Sequence, residues 1–337
     1  MQVFINTFGT SLRVKNGVLS IKKDDDIKRV PIGKVEKLFI TRSIFLSTDV
    51  LYECLEQGID VIITERDGSP VGRMWNNRFG SISTVRRKQL QFSRSPHVAA
   101  WVRQQIARKS ELQEELLYCL LSLRKSIPAE IHATVEQIAR IRQKLLALHE
   151  QDMQSLGPKI RTLEAQMAKR YFRCINLHLP EPYRFDKRSK HPARDMTNAM
   201  LNYCYGILYS HTESALIKAG LDPFIGFFHR DEYNRPVLTY DVVEVFRPWA
   251  DWVVVHLCLN EVIDENMFLV EDGAWWLHGE SKRILIRHFT DFFDEVIEYD
   301  GGRFSRYHHI QLAANALATT ISGTMQDPSE NENQSQP

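Results

Sequence analysis

Residues 97–126 and 129–156 contain no glycine and carry apolar side chains at helical spacing, among them Ile131, Val135, Ile138, Ile141, Leu145 and Leu148. Two such segments in succession commit that part of the chain to long amphipathic helices. Ile127-Pro128 between them predicts a helical hairpin, because the residue before a proline is pushed out of the helical region. Segments 158–176 and 194–219 read as helices too, the latter stopped by Gly220-Leu221-Asp222-Pro223. Further helices are expected near 241–263, 281–298 and 306–322, which makes everything after about residue 97 all-α.

Residues 1 to about 80 have a different pattern. Leu12-Arg13-Val14-Lys15 and Val18-Leu19-Ser20-Ile21 flank Asn16-Gly17, a strong two-residue hairpin signal. Short apolar runs at Val30-Pro31-Ile32 and Lys37–Ile40 predict strands. A short helix capped by Ser47-Thr48-Asp49 and stopped by Gly58 should follow, then a buried strand over Ile59–Thr64 and a turn at Asp67-Gly68. From Gln326 to Pro337 the chain is polar and low in complexity, the composition of a disordered tail. The chain shows no internal repeat.

Charge narrows the function. The net charge is only +1, yet between Gly68 and Ser110 there are nine basic residues and no acidic one. They are Arg73, Arg78, Arg86, Arg87, Lys88, Arg94, Arg103, Arg108 and Lys109, interleaved with Trp75, Phe79, Phe92 and Trp101. Basic side chains neutralise phosphates and aromatic rings offer stacking surfaces to unpaired bases, so nucleic acid is the expected partner. Arg184, Lys187, Arg188, Lys190 and Arg194 form a second cluster. No apolar run approaches a membrane span and the first residues lack a secretory pattern. The five cysteines are odd in number and widely spaced, which predicts free thiols in a reducing cytoplasm.

The segment GLDPFIGFFHRDEYNRPVLTYDVVEVFRP, Gly220 to Pro248, carries the chemistry. His229 ends an apolar run, and Asp241 and Glu244 stand at i and i+3, neighbours on one helical face. An imidazole and carboxylates on one point suit Mg²⁺ or Mn²⁺, an ion able to activate an oxygen nucleophile and neutralise a phosphodiester. The same spacing also fits a capping box, Asp241 at N-cap and Glu244 at N3. A third ligand is expected from another element. Glu164 sits at the edge of an apolar stripe made by Ile160, Leu163, Met167, Tyr171 and Cys174, a costly place for an unpaired carboxylate. The alternative is a surface glutamate. Lys169 and Arg170 on the next turn suit a phosphate near the metal.

Together GLDPFIGFFH, YDVVEVFRP and the upstream helix RTLEAQMAKRYF resemble the metal-binding core of the family of CRISPR-associated protein one, the integrase and endonuclease of spacer acquisition. ARDMTNAMLNYCYGILYS resembles that family's Arg-Asp-Pro-x-Asn helix, with Met196 where proline is usual, and RFSRYHHIQLAANALATTISG also fits. The resemblance implies an α+β fold of two domains: a β-sandwich-like N-terminal domain over 1–80, a linker over 81–96, an α-helical catalytic domain over 97–324 and a tail over 325–337. It places the Mg²⁺ or Mn²⁺ ligands on Glu164, His229 and Glu244. Asp241 completes the catalytic set as a supporting or occasional ligand. Arg73, Arg78, Arg86, Arg87, Lys88, Lys169, Arg170 and Arg247 are the candidate DNA contacts. The implied partners are double-stranded DNA, a second copy of the chain, and CRISPR-associated protein two bridging two dimers. The implied reaction joins 3′-hydroxyls to repeat ends by transesterification. A stand-alone nuclease acting on branched or single-stranded DNA in repair would need the same site with water as nucleophile. A non-catalytic DNA-binding scaffold would need only the helix cap.

Overall fold

The computed structural model describes residues 1–76, 83–121, 129–229 and 235–325. It is an α+β fold in which a strand-rich N-terminal part precedes a mainly helical part. Strands β1 (Gln2–Ile5), β5 (Lys37–Ile40), β7 (Asp60–Thr64) and β8 (Pro70–Met74) form one sheet in the order β1-β5-β7-β8. The first three are parallel and β8 is antiparallel to β7. Strands β2 (Ser11–Lys15), β3 (Val18–Lys23), β4 (Asp26–Pro31) and β6 (Phe45–Leu46) form the second sheet, β4-β3-β2-β6. The Asn16-Gly17 signal holds: both residues have positive φ (51° and 69°), the twist a two-residue hairpin demands, and Lys15 faces Val18. Helix α1 (Thr48–Glu56) makes the crossover into β7.

The first sheet is buried on both faces, which explains why β5 is apolar without alternation. Val3, Ile5, Leu38, Ile40 and Val61 share a core with Leu12 and Leu19 of the second sheet and with Val50 and Cys54 of α1. Phe39 and Ile62 point the other way, into the helical core. Phe4 stacks on Phe39 at 4.3 Å.

The helical part comprises α2 (Ser83–Phe92), α3 (His97–Leu121), α4 (Ala129–Leu146), α5 (Met153–His178), α6 (Met196–Lys218), α7 (Val237–Leu259), α8 (Glu280–Asp294) and α9 (Arg306–Thr324). Helices α6 and α7 are buried nearly all round, as central helices must be, and α7 packs on both α3 and α6. Among the described residues no helix is long and apolar enough to cross a membrane. Cys54, Cys174, Cys204 and Cys258 are buried free thiols.

Several expected boundaries move. This half is not all-α: β9 (Phe268–Glu271) pairs with β10 (Ala274–Leu277), and β11 (Val296–Tyr299) with β12 (Gly302–Ser305). Their turns run through Asp272-Gly273 and Asp300-Gly301, all at positive φ. The helix expected over 281–298 therefore stops at Asp294. The second arm of the helical hairpin ends at Leu146 rather than 156. α5 starts at Met153 because the Asp152 side chain accepts from the amides of Gln154 and Ser155, and Pro158 lies inside it. The stretch expected as a linker carries α2. Met196 is the first residue of α6, a position that proline also favours. The expected tail from Gln326 onward lies outside the described residues.

The two parts meet on a buried polar network. Lys37 Nζ donates to Asp60 Oδ2 (3.2 Å) and to Ser214 Oγ of α6 (2.6 Å), and Ser214 donates to Asp60 (2.7 Å). Arg73 of β8 donates to Ser214 Oγ (2.6 Å), to the Ser210 carbonyl (2.9 Å) and to Glu213 (2.7 Å). Close approach is allowed by Gly206: a Cβ there would lie 2.4 Å from the carbonyl oxygen of Gly68.

Candidate functional site

α7 presents Asp241, Glu244 and Arg247 one turn apart. It begins at Val237 after Pro236, so Asp241 lies a turn inside the helix and the capping-box reading is excluded. Pro248 has no N–H for the Glu244 carbonyl, which loosens the helix ladder at this point.

Asp241 is fully buried and organises the preceding loop. Oδ2 accepts from the amides of Phe227 (2.6 Å) and Phe228 (3.1 Å); Oδ1 accepts from the His229 amide (2.9 Å) and lies 2.6 Å from His229 Nδ1. With Nδ1 against a carboxylate, the proton of neutral His229 belongs there and Nε2 carries the lone pair. Asp241 is therefore spoken for: it positions His229 and is not a ligand in this arrangement. The loop is braced from behind by Gln89 of α2, which is fully buried. It donates to the carbonyls of Asp222 (2.8 Å) and Ile225 (3.0 Å) and accepts from the Asp222 amide (2.8 Å). Phe227 packs edge-on against Phe92 and Trp101.

Gly226 makes this clamp possible. A Cβ there would stand 2.7 Å from a Val237 methyl and 3.2 Å from Asp241 Oδ2. Gly226→Ala is expected to cost about 1–3 kcal/mol by overpacking and to displace His229. Urea unfolding and the chemical shifts of the His229 ring check both effects; a native-like ring environment would contradict this account of the loop.

Glu164 faces Glu244. Both carboxylates converge on the ammonium of Lys109 from α3, with Glu164 Oε1 at 2.6 Å and Glu244 Oε2 at 2.5 Å. The other Glu244 oxygen pairs with Arg247 (2.5 Å). Arg247 is itself boxed in: it donates to the Tyr209 hydroxyl and lies over the rings of Tyr205 and Tyr209 at 5.0 and 5.6 Å. Arg161 of α5 donates to the Phe228 carbonyl (3.4 Å), tying the Glu164 helix to the residue before His229.

Burial alone would push Glu244 up, but Arg247 and Lys109 outweigh it and hold its carboxyl at about 2. Burial would lower Lys109, yet Glu244 and Glu164 together raise it. Behind the pair, Tyr171 (3.0 Å) and Tyr205 (2.5 Å) donate to buried Asp251, whose carboxyl burial pushes up. Tyr171 thus packs behind the carboxylates. Glu164, but not the more deeply buried Glu244, opens onto a pocket of about 260 Å³ that Lys109, Gln113, Arg161, Tyr205, Arg247 and Asp251 help to line.

Of the expected ligands, Glu164 and Glu244 come together on Lys109, while the described contact of the His229 ring is with Asp241. Among the described residues no group of three or more His, Cys, Asp or Glu side chains stands ready to hold a metal. Two carboxylates gathered on one positive charge, with a histidine oriented by Asp241 nearby, still fit Mg²⁺ or Mn²⁺ in donor chemistry. In this structure the positive charge between them is the Lys109 ammonium. The sequence did carry a signal for it: Val102, Ile106, Lys109, Gln113, Leu116 and Leu117 lie on one buried helical face. A lysine in such a stripe requires a carboxylate partner.

The candidate DNA contacts sort by exposure. Arg73, with 5% of its side chain exposed, belongs to the polar network between the two parts and not to a DNA surface. Arg247 serves Glu244. Arg87 and Lys169 are exposed, while Arg86, Lys88 and Arg170 are half-buried. Lys88 donates to the Ser322 carbonyl (3.0 Å), and Arg170 to Gln137 and the Gln166 carbonyl (both 3.0 Å). Arg78 lies outside the described residues.

The sequence profile of the family described as "CRISPR associated protein Cas1" matches residues 3–291. CRISPR-associated endonuclease Cas1 1 of Archaeoglobus fulgidus is 26% identical over 96% of this chain and 97% of its own. The namesake protein of Thermodesulfovibrio yellowstonii is 29% identical over 83% of this chain and 87% of its own. Among solved structures, a casposase bound to integration product superposes with a TM-score of 0.81 at 19% identity, covering 97% of this chain and 92% of that one. A Cas1 protein from Thermotoga maritima does so with a TM-score of 0.78 at 18% identity, covering 96% and 97%. With a match across most of its length, this chain belongs to the Cas1 family.

Proposed function

We propose that this chain is a metal-dependent DNA endonuclease and integrase of CRISPR adaptation, inserting spacers by attack of DNA 3′-hydroxyls at repeat ends. The observation that carries the reading is the convergence of Glu164 and Glu244, from two helices, on one cationic centre beside a histidine oriented by Asp241. Family membership supports it, since the relatives named above are endonucleases by name. Structural neighbours titled as a casposase bound to integration product and as a Cas6-RT-Cas1–Cas2 complex point to DNA and to CRISPR-associated protein two as partners. Two homodimers bridged by that protein would supply the two sites that paired attack requires.

Glu164, Glu244 and His229 Nε2 would hold Mg²⁺ or Mn²⁺, which supplies Lewis acidity to the attacking hydroxyl and the phosphodiester. The chain's own residues do the rest. Asp241 fixes the tautomer of His229, and Arg247, braced by Tyr205 and Tyr209, fixes the carboxylate of Glu244. Arg161 places positive charge in the adjoining pocket, where a phosphate oxygen is attracted. Exposed Arg87 and Lys169 serve the DNA backbone.

The test offers a 3′-hydroxyl duplex and a repeat-bearing plasmid to the purified protein with CRISPR-associated protein two. Joined product is expected with Mn²⁺, none with excess EDTA, and none from His229→Ala. Full joining by that variant would remove the ligand assignment. Cleavage without joining under every condition would instead favour a nuclease that activates water.

A further inference from the structure

Lys109 lies among the basic residues that suggested DNA binding, yet it is 8% exposed and faces inward. Its ammonium meets Glu164 from α5 and Glu244 from α7, so one side chain of α3 joins three helices. Those two carboxylates are the ones assigned above to a divalent cation. A divalent ion and the ammonium cannot both sit between them: their like charges would stand within a few ångströms of each other, with little water to screen them. Without either cation, Glu164 would face Glu244 with only Arg247, on the far oxygen of Glu244, to offset the two charges. The adjoining pocket, lined by Gln113, Arg161 and Tyr205 among others, leaves the lysine somewhere to go.

We propose that Lys109 is the resident counter-cation of this site: its ammonium holds Glu164 and Glu244 together until a divalent ion takes their oxygens, and its displacement into the pocket sets the metal affinity. This rests on the reading of Glu164, Glu244 and His229 as ligands. Lys109 acts through the carboxylates and is a positioning residue. When it moves, its charge enters the pocket beside Arg161, so the step that admits the metal also makes the pocket more attractive to a phosphate.

Two measurements test it. Calorimetric titration with Mn²⁺ compares the wild type with Lys109→Met and Glu164→Gln. Lys109→Met, relieved of the competing charge, is expected to bind Mn²⁺ about tenfold more tightly or better, while Glu164→Gln loses affinity. On the unaltered chain, acylation by a succinimidyl ester, read by peptide mass spectrometry, is expected to rise severalfold at Lys109 when Mn²⁺ is added. This second readout decides the matter if Lys109→Met does not fold. If Glu164→Gln binds Mn²⁺ as the wild type does, the ligand assignment falls and this proposal with it. If Glu164→Gln loses binding while Lys109→Met gains none, or while acylation of Lys109 stays flat on Mn²⁺ addition, the role of Lys109 alone is overturned.

Discussion

Glu244→Ala is expected to reduce strand joining by about 10³-fold or more, since loss of a ligand that stabilises developing charge removes several kcal/mol from the transition state. It should also destabilise the fold. Glu244 is 3% exposed and neutralises both Lys109 and Arg247. Removing it leaves Arg247 without a carboxylate and Lys109 with Glu164 alone, and breaking a buried pair in this way costs about 3–5 kcal/mol. Glu244→Gln keeps the volume and one acceptor, so its structural cost should be smaller while its joining defect stays near that of alanine. Joining assays and urea unfolding of the two variants separate chemistry from packing. The acid limb gives a further check. The folded carboxyl sits at about 2, below its ordinary 4.5, so its stabilisation is present above pH 4.5 and is lost as pH falls from there towards 2. Glu244→Gln should flatten the unfolding profile in that window. Wild-type joining by Glu244→Ala would contradict the assignment outright.

The reason part of this site was legible in the sequence, and part was not, is physical. Glu164 could be found because a carboxylate at the rim of an apolar helical stripe needs a partner, and His229 and Glu244 because their segment is compact. Asp241 was ambiguous: spacing alone cannot tell a helix cap from a residue one turn inside, and only the start of α7 at Val237 decides. The basic run from Arg73 to Lys109 misled by composition. Its members share a sequence interval but not a surface, since Arg73 points into α6, Lys88 reaches the Ser322 carbonyl of α9, and Lys109 points into the carboxylate pair. In the fold, the Asn16-Gly17 hairpin was legible because its turn chemistry is local. The β9–β10 and β11–β12 hairpins have the same kind of turn, Asp-Gly, but strands of only four residues. Strands that short carry too little alternation to stand out against neighbouring helices.

The second large effect concerns the junction of the two parts. Asp60→Asn is expected to destabilise the protein by about 3–5 kcal/mol, because it strips a buried lysine of its counter-charge. Asp60 accepts from Lys37 and Ser214, and Lys218 approaches to 3.9 Å. The two partners respond unequally to their pairing. Burial strips Lys37 of more hydration than one carboxylate returns, and pulls its ammonium down to about 7. Burial pushes Asp60 the other way, but Lys37 and Lys218 together outweigh it and hold its carboxyl below the ordinary value. A lysine whose folded pKa lies below its unfolded 10.5 makes the native state release its proton first, so between about pH 7 and 10.5 stability from this group rises with pH. In Asp60→Asn the opposing carboxylate is gone, and that rise should begin at lower pH and so be larger in total. Lys37→Met should cost less than Asp60→Asn, because Asp60 keeps Ser214 and Lys218 while the apolar replacement needs no counter-ion. Urea unfolding of both variants at pH 6.5 and pH 9.5 reads the difference. Equal losses at both pH values would show that Lys37 carries no uncompensated charge there.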